Sequence, residues 1–135
     1  MQTNQPCPFC TLQTESSQRH LCFENEVGFV IRDGYPITQG HTLVIPKRHV
    51  GSFFDITPEE RQALFELIDL AKADLDKAFK PASYNIGIND GEAAGQTIAH
   101  LHIHLIPRYN ELGKDTRGGV RWIVPEKADY WSKPK

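Results

Sequence analysis

Three histidines alternate with aliphatic residues in His100-Leu101-His102-Ile103-His104, and Leu105 and Ile106 follow directly. A period of two is the mark of a β-strand, whose successive side chains point to opposite faces. The pattern predicts a strand from Ile98 to Ile106. Leu101, Ile103 and Leu105 would share a face that can bury against a core. His100, His102 and His104 would share the other, each roughly 7 Å from the next. Rings withdrawn from water cost free energy unless each finds a hydrogen-bond partner or does chemistry. A single strand histidine is more often structural, and a His-rich surface strand or a metal site are the plain readings of this row. Strict alternation of three, between Gly95-Gln96-Thr97 and Pro107-Arg108, favours chemistry instead. A neutral imidazole near pH 7 is a good nucleophile, and its neighbours can shuttle protons. The Gly95-Gln96-Thr97 turn offers amides and a hydroxyl to an oxyanion.

The rest of the chain supplies a frame for that strand. Val27–Arg32 and Thr42–Ile45 read as short strands, separated by the turn signal Asp33-Gly34-Tyr35-Pro36. Thr57, Pro58 and Glu60 form a helix start with a capping box. Leu64, Leu67, Ile68, Ala71, Leu75, Ala78 and Phe79 then recur at helical spacing, so the helix should run to about Phe79, before Pro81. Tyr84–Asn89 is a further strand, and Asp90–Gln96 a loop. Residues 1–22 read as polar and irregular apart from Cys7-Pro8-Phe9-Cys10, and Arg117–Pro125 as a short strand or an ordered arm. This order predicts an α+β fold, an antiparallel sheet with one long helix packed on it.

At 135 residues the chain has the length of one domain, taken as 1–135 with a core at 7–109 and a C-terminal arm at 110–135. A net charge of -2 gives no basic field for nucleic acid. No run approaches the roughly 18 apolar residues of a membrane span. Met1–Pro6 lacks the basic and apolar regions of a secretory signal. Three cysteines, an odd count, argue against a disulfide framework, and the expected compartment is the reducing cytoplasm. Cys7-Pro8-Phe9-Cys10 reads either as half of a zinc site or as a reduced, metal-free pair. Cys22 reads as a small core or surface residue, and His20 as a solvated loop histidine. Phe29, Ile31 and Leu43 read as core or as the lining of a nucleobase pocket.

His100-Leu101-His102-Ile103-His104-Leu105-Ile106 resembles the histidine triad motif, in which three histidines alternate with apolar residues. The flanking Asp90-Gly91-Glu92-Ala93-Ala94-Gly95-Gln96-Thr97 and Pro107-Arg108 resemble the fragile-histidine-triad and bacterial diadenosine-polyphosphate-hydrolase branch. Gly40-His41-Thr42-Leu43-Val44-Ile45-Pro46-Lys47-Arg48-His49 is similar to the family's other conserved block. The resemblance covers about residues 7–109. It implies a nucleotidyl hydrolase that binds an AMP-containing substrate, with His102 attacking the α-phosphorus and His104 contacting the phosphate. It implies catalytic parts for His100 and Thr97 as well. His41 matches a fourth family histidine. Asn89, Gln96 and Thr97 fall where the family binds phosphate, and Asp33 where it holds the ribose hydroxyls. Cys7, Cys10, His49 and His100 match a structural zinc site found in several members. A homodimer is implied too, with Arg121 and Trp122 either reaching a neighbouring site or serving as a packing arm.

One departure bears on the substrate. The fragile-histidine-triad hydrolases carry Gln where this chain has Asn89. The nucleoside phosphoramidase branch has Asn there, but a Gly-Gly-Arg run after the triad. Pro107-Arg108 tips the reading toward diadenosine tetraphosphate-like substrates. The alternatives are a phosphoramidase acting on adenylated amines and a nucleotide-binding regulatory module with little turnover.

Overall fold

The computed structural model describes residues 6–14 and 21–132. The long helix forms where its signals predict. Its elements in chain order are α1 (Pro8–Thr14), β1 (Leu21–Glu24), β2 (Gly28–Arg32), β3 (Thr42–Pro46), α2 (Pro58–Phe79), β4 (Ser83–Gly87), β5 (Ile103–Arg108) and α3 (Pro125–Ala128). Thr57 Oγ1 accepts from the Glu60 amide at 3.0 Å, and Glu60 Oε1 accepts from the Thr57 amide at 2.9 Å, so both halves of the capping box are made. Lys80 ends the helix in the left-handed region, one residue before Pro81. Leu64, Leu67, Ala71 and Leu75 are buried, as their spacing requires, while Ala78 is exposed.

The five strands form one antiparallel sheet in the order β1-β2-β3-β5-β4. Its two faces are occupied differently. Val30, Val44, Leu101, Ile103 and Leu105 pack with the buried stripe of α2. Phe29, Ile31, Leu43 and Ile45 pack with Phe9 of α1 on the other face. Each such side chain contributes roughly 1.5–3 kcal/mol by leaving water. Helix α2 lies directly on β2, because a β-carbon at Gly28 would stand 2.7 Å from Leu64 Cδ2 and 2.8 Å from the Ile45 carbonyl oxygen.

Three parts differ from the sequence expectation. Residues 1–22 are not wholly irregular, since α1 and the start of β1 fall there. Neither is long enough to show a period. Helix α1 holds by tertiary contact, through buried Phe9 and a Gln13 Nε2 bond to the Lys47 carbonyl at 2.9 Å. Strand β5 begins at Ile103, so His100 and His102 precede it, although Leu101, Ile103 and Leu105 still share one core face. Among its described residues the arm forms no strand. It makes a 3-10 turn at Gly119–Ile123 and then α3, with Arg117 over the Trp131 ring at 4.9 Å and Arg121 over Tyr130 at 4.6 Å. His20 lies outside the described residues. No helix among the described residues is long and apolar enough to cross a membrane.

Candidate active site and metal centre

The chain leaving β3 runs beside the chain entering β5, and this brings distant histidines together. The Leu101 amide donates to the Val50 carbonyl at 2.7 Å. Asp90 accepts from Ser52 Oγ and from the Phe53 amide, the latter at 2.7 Å. Gln96 is buried and fully engaged. Its Oε1 accepts from the Gly91 amide, and its Nε2 donates to the Gly51 and Ile98 carbonyls. Arg48 forks onto the Glu60 carboxylate at 3.0 and 2.8 Å, tying the segment before His49 to the cap of α2. These bonds hold Glu60 well below the usual carboxylate range, at about 2.

Four donor atoms meet at one end of this arrangement. Cys7 Sγ lies 3.3 Å from His100 Nδ1, Cys10 Sγ 3.3 Å from His49 Nδ1 and 3.6 Å from His100 Nδ1, and the two Nδ1 atoms are 3.2 Å apart. A tetrahedron with metal–sulfur arms of about 2.3 Å and metal–nitrogen arms of about 2.0 Å has mixed edges of roughly 3.5 Å, so the donor set fits a closed zinc site. His100 is completely buried, and its Nε2–H donates to the Pro46 carbonyl at 2.7 Å. A carbonyl can only accept, so Nδ1 carries the lone pair toward the sulfurs. Burial, and then the neighbouring Cys7 sulfur, push the Cys10 thiol up.

The row continues with each ring in a defined tautomer. His102 is 9% exposed, and its Nδ1–H donates to the His100 carbonyl at 2.9 Å. Its Nε2 therefore holds a lone pair. On the other side, the Ile37 amide donates to His41 Nδ1 at 3.2 Å, which leaves the proton on His41 Nε2. That proton bonds to His104 Nδ1 at 2.9 Å, so neutral His104 carries its own proton on Nε2. Burial, and then the nearby His102 and His41 rings, lower His104 to about 4, against the raising effect of Asp33. Burial likewise lowers His41, with Asp33 opposing. Gly40, at φ +86, makes the turn that sets His41, and a β-carbon there would meet Leu75 and Phe79 at 3.0 Å. A nitrogen with a free lone pair and an N–H donor thus stand on adjacent rings, whose centroids are 5.2 Å apart.

Residues 14–111 match the HIT domain. The chain belongs to the histidine triad (HIT) family. Protein hit of Bacillus subtilis is 34% identical over 116 residues, 86% of this chain and 78% of that one. Bis(5'-nucleosyl)-tetraphosphatase (asymmetrical) of Schizosaccharomyces pombe is 47% identical over 73 residues, 54% of this chain and 40% of that one. The crystal structure of a HIT family protein from Bacillus anthracis has a TM-score of 0.73 at 34% identity, covering 90% of this chain and 88% of that chain. A Zn-bound histidine triad family protein from Mycobacterium smegmatis has a TM-score of 0.71 at 34% identity, covering 81% and 79%.

In this HIT chain the expected site residues separate into groups. Cys7, Cys10, His49 and His100 converge, and Asp33, His41 and His104 converge beside His102. Asp33 Oδ2 lies 3.4 Å from His41 Nε2, and its Oδ1 accepts from the Tyr35 amide at 2.8 Å. Asn89 and Thr97 are exposed at the two ends of their loop. The Gln96 side chain does not face outward toward a phosphate, because its carboxamide clamps the loop. Arg121 donates to the Lys127 and Ala128 carbonyls and Trp122 to that of Arg117, so both polar groups serve the arm itself. Phe29, Ile31 and Leu43 are buried in the face closed by α1. Sequence reasoning passed over Asp90 and Phe9. Asp90 carries a turn-like signal in Asn89-Asp90-Gly91, whereas Phe9 offers only its place between two cysteines.

Proposed function

We propose that this HIT protein hydrolyses dinucleoside polyphosphates of the diadenosine tetraphosphate type at an α-phosphorus, through a covalent nucleotidyl group on His102. The observation that carries the reading is a lone pair on His102 Nε2 and a proton on His104 Nε2, on rings whose centroids are 5.2 Å apart. His102 Nε2 forms the bond to phosphorus, and the bond from phosphorus to the bridging oxygen breaks with its electron pair on the departing polyphosphate. His104 Nε2–H donates to the phosphoryl group as charge shifts to oxygen. The nucleotidylated ring is cationic, and its Nδ1–H faces the His100 carbonyl, which stabilises that charge. Water then attacks phosphorus, the nitrogen–phosphorus bond breaks back onto His102, and AMP and a proton leave. Asp33 would accept from the ribose hydroxyls, since an ionised carboxylate offers only acceptors. Thr97 and Asn89 would meet the phosphate chain from the loop, with the Gln96 clamp holding them there. The name of the Schizosaccharomyces pombe relative supports a tetraphosphate substrate.

Cys7, Cys10, His49 and His100 would hold a structural zinc that fastens α1 to the sheet, leaving His102 outside the metal's reach. Their mutual distances support this. A homodimer, built on edge strand β4 with exposed Ile86 and the neighbouring Val120 and Ile123, extends the reading. Sedimentation as a monomer at micromolar concentration would remove that part. Three free cysteines support a reducing compartment such as the cytoplasm.

Asn89 favours a second reading, a phosphoramidase acting on adenylated amines. A competition assay with diadenosine tetraphosphate and an adenosine phosphoramidate separates the two. Preferential release of AMP and ATP is expected. Preference for the phosphoramidate would select the second reading, and no turnover of either would leave a binding module.

A further inference from the structure

Phe9 packs against a ring of the Cys7/Cys10/His49/His100 cluster and against the next ring of the tautomer-fixed row. It lies on α1 between Cys7 and Cys10, so the two cysteines that meet His49 and His100 also fix its place. It is 5% exposed. Its ring stands edge-on to His100 at a centroid distance of 5.7 Å and edge-on to His102 at 5.2 Å. Its other neighbours are the buried Phe29, Ile31, Leu43 and Ile45. Among the described residues His102 makes one hydrogen bond, from Nδ1 to the His100 carbonyl. One bond leaves an imidazole free to swing about it. A second, non-polar restraint at the ring is needed to aim Nε2.

Building on the proposed nucleotidyl transfer to His102, we propose that Phe9 is a positioning residue for that nucleophile, linking its aim to the Cys7/Cys10/His49/His100 cluster. Edge-to-face contact restrains the imidazole plane without taking either nitrogen. The cysteines hold Phe9 from one side and the sheet's second apolar face holds it from the other. The nucleophile is therefore set by α1 as well as by the segment that enters β5. A nucleophile displaced by a fraction of an ångström loses rate while the substrate still binds, because binding contacts lie elsewhere.

The test uses Phe9→Leu and Phe9→Tyr in the full, metal-loaded chain. Long-range proton–nitrogen NMR on the substrate-free protein reads the His102 tautomer without any turnover. Steady-state kinetics with diadenosine tetraphosphate and elemental analysis complete the set. The wild type should show one tautomer with the proton on Nδ1. Phe9→Leu, by letting the ring swing off the His100 carbonyl that fixes its proton, should show mixed tautomers, a kcat lower by roughly tenfold or more and a KM within about twofold, with metal content unchanged. Phe9→Tyr, which keeps the ring edge, should recover most of the wild-type tautomer and rate. A wild-type tautomer and kcat in Phe9→Leu would overturn the proposal. So would a raised KM at constant kcat, which would make Phe9 a substrate contact, or loss of metal, which would make it a packing residue of the cluster. If the wild type turns over no nucleotide, the functional reading fails, and the NMR still decides whether Phe9 orients His102.

Discussion

His49 and His100 bring their Nδ1 atoms to 3.2 Å with ring centroids 5.1 Å apart, whereas His41 and His104 have nitrogens at 2.9 Å and centroids at 5.2 Å. The first pair has the more distant nitrogens and yet the closer rings. Its nitrogens therefore aim past each other, toward a third point where the two cysteine sulfurs also converge. In the second pair the nitrogens face head-on and share one proton. A carboxylate stands beside that pair, and Asp33, His41 and His104 together have the composition of a metal site. The head-on approach makes them a hydrogen-bond relay instead. Residue type does not separate a ligand set from a relay; the direction of the lone pairs does.

The largest effect is expected at the residue between the two pairs. His102→Ala should lower hydrolysis by roughly a thousandfold or more while AMP affinity stays within a few-fold. Residual activity above about a tenth of wild type would remove His102 as nucleophile. The pairs should then respond oppositely. Cys10→Ala, or stripping of zinc from the intact chain, should cost several kcal/mol, roughly 10 °C or more in Tm. A zinc-to-protein ratio near zero in chelator-free material would sink the metal reading. His41→Gln should keep zinc and fold but lower kcat by about 10–100-fold. Equal losses of zinc in both variants would erase the distinction between the pairs.

The relay also predicts a pH dependence. Burial, more than the neighbouring rings, lowers His104 to about 4 from its ordinary 6.5, and His41 is lowered too. Between those pH values the unfolded chain binds protons that the folded one refuses. Stability should therefore be highest above pH 6.5, fall as pH drops toward 4, and fall no further from this source below it. His104 should account for about 2 kcal/mol of that decline after allowance for partial solvation. Urea denaturation from pH 7 to 4.5 should give a shallower slope in His104→Asn, and equal slopes would refute the assignment. The smallest effect concerns the pair's carboxylate neighbour. Asp33→Ala should weaken ribonucleotide binding and reduce ribose over deoxyribose preference by about tenfold. Unchanged preference would take Asp33 out of the site.

The legible parts of this chain are those with local causes. A capping box and a stripe of four leucines and alanines define α2, and alternation defines the core face that Leu101, Ile103 and Leu105 share. The histidines are visible as a row, and the family resemblance points to the Cys7/Cys10/His49/His100 cluster and to His41. Their tautomers were not visible, because these depend on the Pro46 carbonyl, the Ile37 amide and the His100 carbonyl. Those are backbone groups whose positions follow only from the folded topology. Gln96 illustrates the same limit. Its amide looks like a phosphate ligand in a glycine-containing loop, but in the fold it meets three backbone partners within that neighbourhood. Helix α1 and Phe9 were hidden for a different reason. Seven residues are too few for periodicity, and contacts with residues far along the chain supply the order.

The central claim is that His102 Nε2 takes the nucleotidyl group. Its most direct test is rapid alkaline quench of the enzyme during turnover of diadenosine tetraphosphate, followed by intact-mass and peptide analysis. The account predicts one adenylyl group per chain, on the peptide at His102, and none in His102→Ala. Full turnover with no adduct, or an adduct on His104 or His100, would contradict it.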